Sequence, residues 1–273
     1  MNIHILGAHN CEAQTAKCCS ILVDDVLAID AGSITAALSI EEQQKLNAIL
    51  LTHEHYDHVK DIPTIALNLF LGKSNGVKVY SSDSVRQTIE THLLNGEVYP
   101  KFQELPEAKP TINFNSITPY IPMNIDGYQI LAVPVKHNNS TFGYQVSNGD
   151  GTAIFYTSDT GPGLSECWEY LSPQLLIIEV TFSNRHSEFA VKTGHLTPDL
   201  LYEELVNFSK LKNYLPRIIV VHMCPILEQE IENEIAIVAK SLNSPITLAV
   251  EGMQFPVLCS HRAILSQEPV NAV

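Results

Sequence analysis

The run Leu50-Leu51-Thr52-His53-Glu54-His55-Tyr56-Asp57-His58 constrains this chain more than any other stretch. Three imidazoles and two carboxylates fall within six residues, directly after an apolar segment that reads as a strand. Neutral imidazole is a strong ligand for borderline transition metals, and carboxylate suits a harder coordination position. In a tight turn residues two apart converge, so His53 and His55 can share one ion while Asp57 and His58 hold a second. The plainer reading is a solvated turn that happens to be rich in histidine. The run stands where a strand ends and a helix begins, which is where α/β proteins build their sites. A metal site is the expectation.

The pattern around the run sets the fold class. Strands are predicted over 2–6, 18–23, 26–30 and 46–51, with helices over 33–45 and 59–71. Asp24-Asp25 suits an antiparallel hairpin, and Val77-Lys78-Val79-Tyr80 with the helix after it suits an α/β crossover. Pro100, Pro106 and Pro110 mark 100–113 as a loop, a candidate lid or binding edge. Strands are predicted again over Ile117–Tyr120, Tyr128–Val135, Thr141–Val146 and Ala153–Tyr156, with a turn at Asn148-Gly149-Asp150-Gly151. A helix, a strand over 174–180, helices over 197–210 and 226–242, and strands over 217–221 and 245–250 follow. Each half runs from strands into mixed strand and helix. An α/β fold of two mixed sheets packed face to face, with helices on both outer faces, would bury all of these apolar faces. The tail from Ser266 has little apolar content and is expected to be loose.

Composition narrows the partners. Hydrophobic residues make up 45% of the 273, enough for a large layered core. A net charge of −14 argues against a broad nucleic-acid face, although bound metal ions could still hold a small anion. The cysteines at 11, 18, 19, 167, 224 and 259 form no CxxC pair and read as core filler in a reducing compartment. Met1-Asn2-Ile3-His4-Ile5-Leu6 reads as a first strand rather than a leader, and no apolar run is long enough to span a membrane, so a cytoplasmic location is expected.

A site for two ions needs more than four protein groups. His137 follows Val133-Pro134-Val135-Lys136, Asp159 follows Phe155-Tyr156-Thr157-Ser158, and His222 follows Ile218-Ile219-Val220-Val221. Each could simply cap a strand end. The order His-x-His-x-Asp-His, then His137, Asp159 within Ser-Asp-Thr, and His222 resembles the metallo-β-lactamase-fold hydrolases over nearly the whole chain. One domain over 1–265 is expected, followed by the loose tail at 266–273. The resemblance, which runs from the first strand to about Val257, implies an αββα sandwich with two ions in a cleft at one edge of the sheets. It also implies that His53, His55 and His137 bind the first ion, that Asp57, His58 and His222 bind the second, and that Asp159 bridges them. Zinc is the first expectation for the pair of divalent ions, with manganese or iron able to use the same ligands.

A second motif narrows the chemistry. In Lys192-Thr193-Gly194-His195-Leu196-Thr197-Pro198, Thr197 can cap a helix and Pro198 suits its first turn, placing His195 before a helix N-terminus that favours an anion. A capped helix with a solvent-facing histidine is the alternative. Gly194-His195-Leu196-Thr197-Pro198, Ala28-Ile29-Asp30-Ala31-Gly32-Ser33 and Ile177-Ile178-Glu179-Val180-Thr181-Phe182 resemble segments of the class II cyclic-nucleotide phosphodiesterases. A histidine before a helix start also occurs in the tRNA 3′-processing nucleases of this fold. The resemblance implies phosphodiester cleavage. With 16 basic residues against 30 acidic and no basic arm, a small anionic phosphodiester fits better than RNA.

The expected activity is hydrolysis of 3′,5′-cyclic nucleotides to nucleoside monophosphates. His195 would serve the leaving group as acid and Asp57 would orient the attacking water. A tRNA 3′-end endonuclease and a lactone or thioester hydrolase are the rival readings. Glu179 either orients His195 or pairs with a basic residue such as Arg185. Asn138, Asn139, Ser183, Asn184 and His186 are candidate pocket groups, whereas His4, His9, His92 and His261 read as structural or exposed. No organic cofactor and no membrane partner are expected, and a homodimer is left open.

Overall fold

The computed structural model describes residues 1–138 and 140–258. Asn139, Cys259, His261, the expected domain end at 265 and the tail 266–273 lie outside the described residues.

The first half of the chain supplies β1 (Asn2–Gly7), β2 (Ser20–Val23), β3 (Leu27–Ile29), α1 (Ile34–Ala37), α2 (Ile40–Gln43), β4 (Ala48–Leu50), α3 (Tyr56–Val59), α4 (Ile62–Leu71), β5 (Val77–Ser81), α5 (Asp83–His92) and β6 (Ile112–Ser116). The second supplies β7 (Met123–Ile125), β8 (Tyr128–Pro134), β9 (Phe142–Ser147), β10 (Ala153–Tyr156), α6 (Ser165–Tyr170), β11 (Leu175–Glu179), a 3₁₀ turn (Asn184–His186) and α7 (Ser187–Thr193). α8 (Pro198–Lys212), β12 (Arg217–Val221), α9 (Glu228–Leu242), β13 (Ile246–Leu248) and β14 (Gln254–Pro256) complete it. Two seven-stranded sheets result, ordered β14-β1-β2-β3-β4-β5-β6 and β13-β12-β11-β10-β9-β8-β7. Both are mixed: β3 through β6 pair in parallel, as do β10 through β13, and the remaining pairs are antiparallel.

Side chains alternating across each strand explain why the sheets stack. Ile154 and Tyr156, Leu175 and Ile177, Ile219 and Val221 turn toward Ile3, Ile5, Ile21 and Ile29 of the other sheet. Phe155, Leu176, Ile178, Ile218 and Val220 turn outward onto Trp168, Leu201, Phe208 and Ile231 from helices α6, α8 and α9. The outer face of the first sheet is covered likewise by Ile34, Ile62, Ile65, Val85 and Ile89. This is the expected αββα arrangement. Among the described residues, no helix is long and apolar enough to cross a membrane.

Four local expectations are corrected. The helix expected over 33–45 is two, because Leu38 is extended and Ser39 starts α2 with a capping box to Glu42. The helix expected over 59–71 begins earlier, at Tyr56, and restarts at α4 with Pro63 in its first turn. Ile117–Tyr120 is not a strand: Tyr120 takes a φ of +62°, and the paired segment is Ile112–Ser116, whose first residues fall in the expected loop. Two asparagines in Ile112-Asn113-Phe114-Asn115-Ser116 weaken its strand signal. Lastly, Cys18, Cys19 and Cys167 fill the core, but Cys11 is exposed and Cys224 half-buried.

Candidate metal centre

β4, β10, β11 and β12 all end at one edge of the sandwich, and the chain delivers a polar residue there from each. Thr52 and His53 follow β4, Asp159 follows β10, Glu179 ends β11 and His222 follows β12, while His137 arrives from β8. Ser158 and His222 take φ of +60° and +62°, a left-handed turn that costs energy in a non-glycine residue and collects at functional sites. The two sheets are tied at this edge by Phe142 N–H to Thr52 O (3.0 Å) and Tyr144 O–H to Leu51 O (2.8 Å).

The seven residues singled out as metal ligands come together here. Ligand atoms of His53, His55, His137 and Asp159 lie within 4.8 Å of one another, and so do those of Asp57, His58, Asp159 and His222. Asp159 joins the groups: its Oδ2 lies 3.7 Å from His53 Nε2 and 3.9 Å from His137 Nε2. Its Oδ1 lies 3.3 Å from His58 Nε2 and 3.2 Å from His222 Nε2. Asp57 Oδ2 sits 3.4 Å from both His58 Nε2 and His222 Nε2. Donors about 2.0–2.1 Å from an ion at tetrahedral angles lie about 3.3–3.4 Å apart, close to these separations.

The hydrogen-bond pattern shows which ring nitrogen is free. His53 Nδ1–H donates to Thr52 Oγ1 (3.0 Å), His58 to Asp30 Oδ2 (2.8 Å), His137 to Gly194 O (2.9 Å) and His222 to Thr181 Oγ1 (2.8 Å). With the proton on Nδ1, all four Nε2 lone pairs point inward. His53 Nε2, His58 Nε2 and Asp159 Oδ1 are buried without a hydrogen-bond partner. His137 Nε2 and His55 Nδ1 face each other 3.1 Å apart, a separation that suits two donors to one ion. Burial pushes the His58 imidazole down, but the Asp159 and Asp30 carboxylates overturn this and hold it well up. Burial also raises Asp57, and the His222 and His58 imidazoles reverse that, holding it below the usual carboxylate range. Burial holds His53 well below the usual imidazole range and lowers His137 as well, which favours their neutral, metal-binding form, and the donor set fits metal ions.

Supporting residues are less visible in the sequence. Asp30, fully buried with φ +60°, accepts from Thr52 N–H and from His58, though its segment stands out in the sequence only by resemblance. A Cβ on Gly32 would fall 2.2 Å from Asp57 O, so only glycine lets the two loops approach. Glu54, the unassigned member of the histidine run, accepts from Ser140 Oγ (2.7 Å) and Asn138 Nδ2 (3.4 Å), tying that turn to the loop after His137.

His195 stands beside the cluster. Its ring stacks on His222 at 5.5 Å and 16°, and its Nδ1–H donates to Glu179 Oε1 (2.7 Å). Glu179, fully buried, also accepts from Thr160 N–H, Thr181 N–H and Thr181 O–H, while Arg185 pairs with Glu230 instead. Of the two expectations for Glu179, the structure takes the one that orients His195. Burial lowers His195, and the Glu179 carboxylate more than reverses this, raising it to about 9. Thr197 occupies the N-cap of α8, but its hydroxyl makes no cap bond, contrary to expectation. Ser183 O–H meets His186 Nδ1 and Asn184 anchors Asp199 N–H, so these two support local structure. His9, 3% exposed, is structural, bonded to Glu251 at 2.6 Å.

A family model described as Beta-lactamase superfamily domain matches residues 20–223. Among curated proteins, the UPF0173 metal-dependent hydrolase of Pyrococcus furiosus is 29% identical over 51% of this chain and 54% of its own length. Ribonuclease Z of Methanocaldococcus jannaschii is 23% identical over 68% of this chain and 72% of its own. The chain thus spans about half the length of the Pyrococcus relative. The crystal structure of unliganded yeast PDE1 superposes with a TM-score of 0.79 at 15% identity, covering 93% of this chain and 98% of that one. At that identity the likeness concerns the fold.

Proposed function

Because the chain belongs to the beta-lactamase superfamily domain family, we propose that it is a metal-dependent hydrolase holding two divalent ions, zinc first, and that it cleaves phosphodiesters, with a 3′,5′-cyclic nucleotide as substrate. His53, His55, His137 and Asp159 would hold one ion, and Asp57, His58, Asp159 and His222 the other. When bound, such a pair lowers the pKa of water and neutralises charge developing on phosphoryl oxygens.

The observation that carries the phosphodiester reading is His195. It lies outside the seven ligands, yet it stacks on His222 and is fixed by a buried carboxylate. A donor held there can serve the departing oxygen. Asp57, with one oxygen facing His58 and His222, would orient the attacking water. The match to ribonuclease Z favours RNA as a second reading. The −14 charge favours the small substrate, since RNA binding draws on many Lys and Arg contacts. Purified protein assayed on cyclic AMP, cyclic GMP, a nitrophenyl phosphodiester and precursor tRNA tests the order. Processing of tRNA with both cyclic nucleotides inert would reverse it.

A further inference from the structure

A row of aromatic rings leaves the metal centre on the His222 side. Phe182 meets His195 edge-on at 5.7 Å and 76°. Phe189 lies 5.3 Å beyond Phe182, with His186 at 6.3 Å on its flank. Phe182 packs partly against the outer core of the second sheet, whereas Phe189 rests on Phe182 and is 53% exposed. The segment that carries the row is fixed to the body of the protein. Asn184 N–H donates to Glu234 Oε2 (2.8 Å), Asp199 N–H to Asn184 Oδ1 (2.9 Å), and Arg185 pairs with Glu230 (2.8 Å).

A single exposed phenylalanine is ordinary. Phe189 meets Phe182 edge to face at 78°, so the two rings make a corner in which a planar ring can lie on one face with its edge against the other. We propose that Phe182 and Phe189, flanked by His186, form the subsite on which the heterocyclic base of a nucleotide substrate stacks. This rests on the phosphodiesterase reading above. Every nucleobase has a π face, and in a nucleotide the base lies one ribose from the phosphate. In the row, His195 stands between His222 and Phe182, and Phe189 lies one ring further out. His186, whose Nδ1 meets Ser183 Oγ at 3.1 Å, keeps Nε2 for the base edge.

Calorimetry on the metal-loaded protein tests this with adenosine 5′-monophosphate, guanosine 5′-monophosphate and ribose 5-phosphate. The nucleotides should bind about 5- to 150-fold more tightly than ribose 5-phosphate, the span of base–aromatic stacking. Phe182→Leu and Phe189→Ala should each erase part of that ratio and leave ribose 5-phosphate unchanged, while Phe182→Trp keeps it. Phe189 is exposed, so its variant remains informative if Phe182→Leu folds poorly. Equal binding of all three probes by the wild type, or parallel loss of all three in the variants, overturns the subsite. Cyclic-nucleotide hydrolysis without this discrimination overturns the subsite and leaves the reaction standing. Discrimination without hydrolysis of any phosphodiester supports the subsite and removes the reaction.

Discussion

Asp30 and His58, both fully buried, meet through a 2.8 Å hydrogen bond from Nδ1–H to Oδ2. The same carboxylate accepts from Thr52 N–H and Thr52 O–H at 2.9 Å, and Thr52 Oγ1 in turn accepts a hydrogen bond from His53 Nδ1–H. One aspartate therefore sets the tautomer and direction of two rings that belong to different ligand groups.

Replacing Asp30 by Ala should lower metal affinity about 10- to 100-fold, the usual cost of losing a carboxylate behind a ligand histidine. Competition with a chromogenic chelator measures it. Unchanged affinity would mean that His58 is aimed without Asp30.

Asp159→Ala should reduce occupancy at both positions, since its two oxygens face the two groups separately. Elemental analysis of wild type and variant checks this. One ion per wild-type chain, retained in the variant, would rule out a shared bridge.

His195→Ala should retain metal and slow cyclic-nucleotide hydrolysis by about 10²–10⁴-fold, the contribution of a positioned acid. A nitrophenyl leaving group needs no proton, so the deficit there should be small. Equal deficits on both substrates would assign His195 to positioning rather than proton donation, and loss of metal would make it a ligand.

The His9–Glu251 pair should make stability pH-dependent. Burial lowers His9, but the Glu251 carboxylate wins and raises it, so its contribution is full below about pH 6.5 and fades as pH rises through the folded value. Burial raises Glu251, but the bond from His9 wins and lowers it, so its contribution is full above about pH 4.3 and fades as pH falls through the folded value. Glu251→Gln should therefore depress Tm more at pH 5.5 than at pH 8, by about 2–4 °C if the difference is about 1 kcal/mol. Equal depression at both pH values would show a neutral hydrogen bond.

Much of this is legible in the chain. The apolar run Leu175-Leu176-Ile177-Ile178 and the turn at Asn148-Gly149-Asp150-Gly151 are local patterns, and the structure keeps them as β11 and as the link between β9 and β10. The split at Ser39 and the strand in Ile112–Ser116 escape a local reading, because a capping box inside an apolar run, and asparagines inside a strand, oppose the average propensities. In the site, density alone marks His53, His55, Asp57 and His58. His137, Asp159 and His222 are ordinary strand-end residues until a family resemblance aligns them.

By itself, then, the sequence determined the chemistry available: imidazoles and carboxylates at strand ends, in a chain apolar enough to build two stacked sheets. Only the tertiary structure decided that Asp159 faces both groups, that Asp30 holds His58 across 28 positions, and that Glu179 takes His195 rather than Arg185. The reason is physical. Period and propensity act over neighbouring residues, whereas a hydrogen bond between buried groups depends on where two sheets end relative to each other. Sandwich packing fixes that edge, and left-handed turns at Asp30, Ser158 and His222 aim the side chains from it.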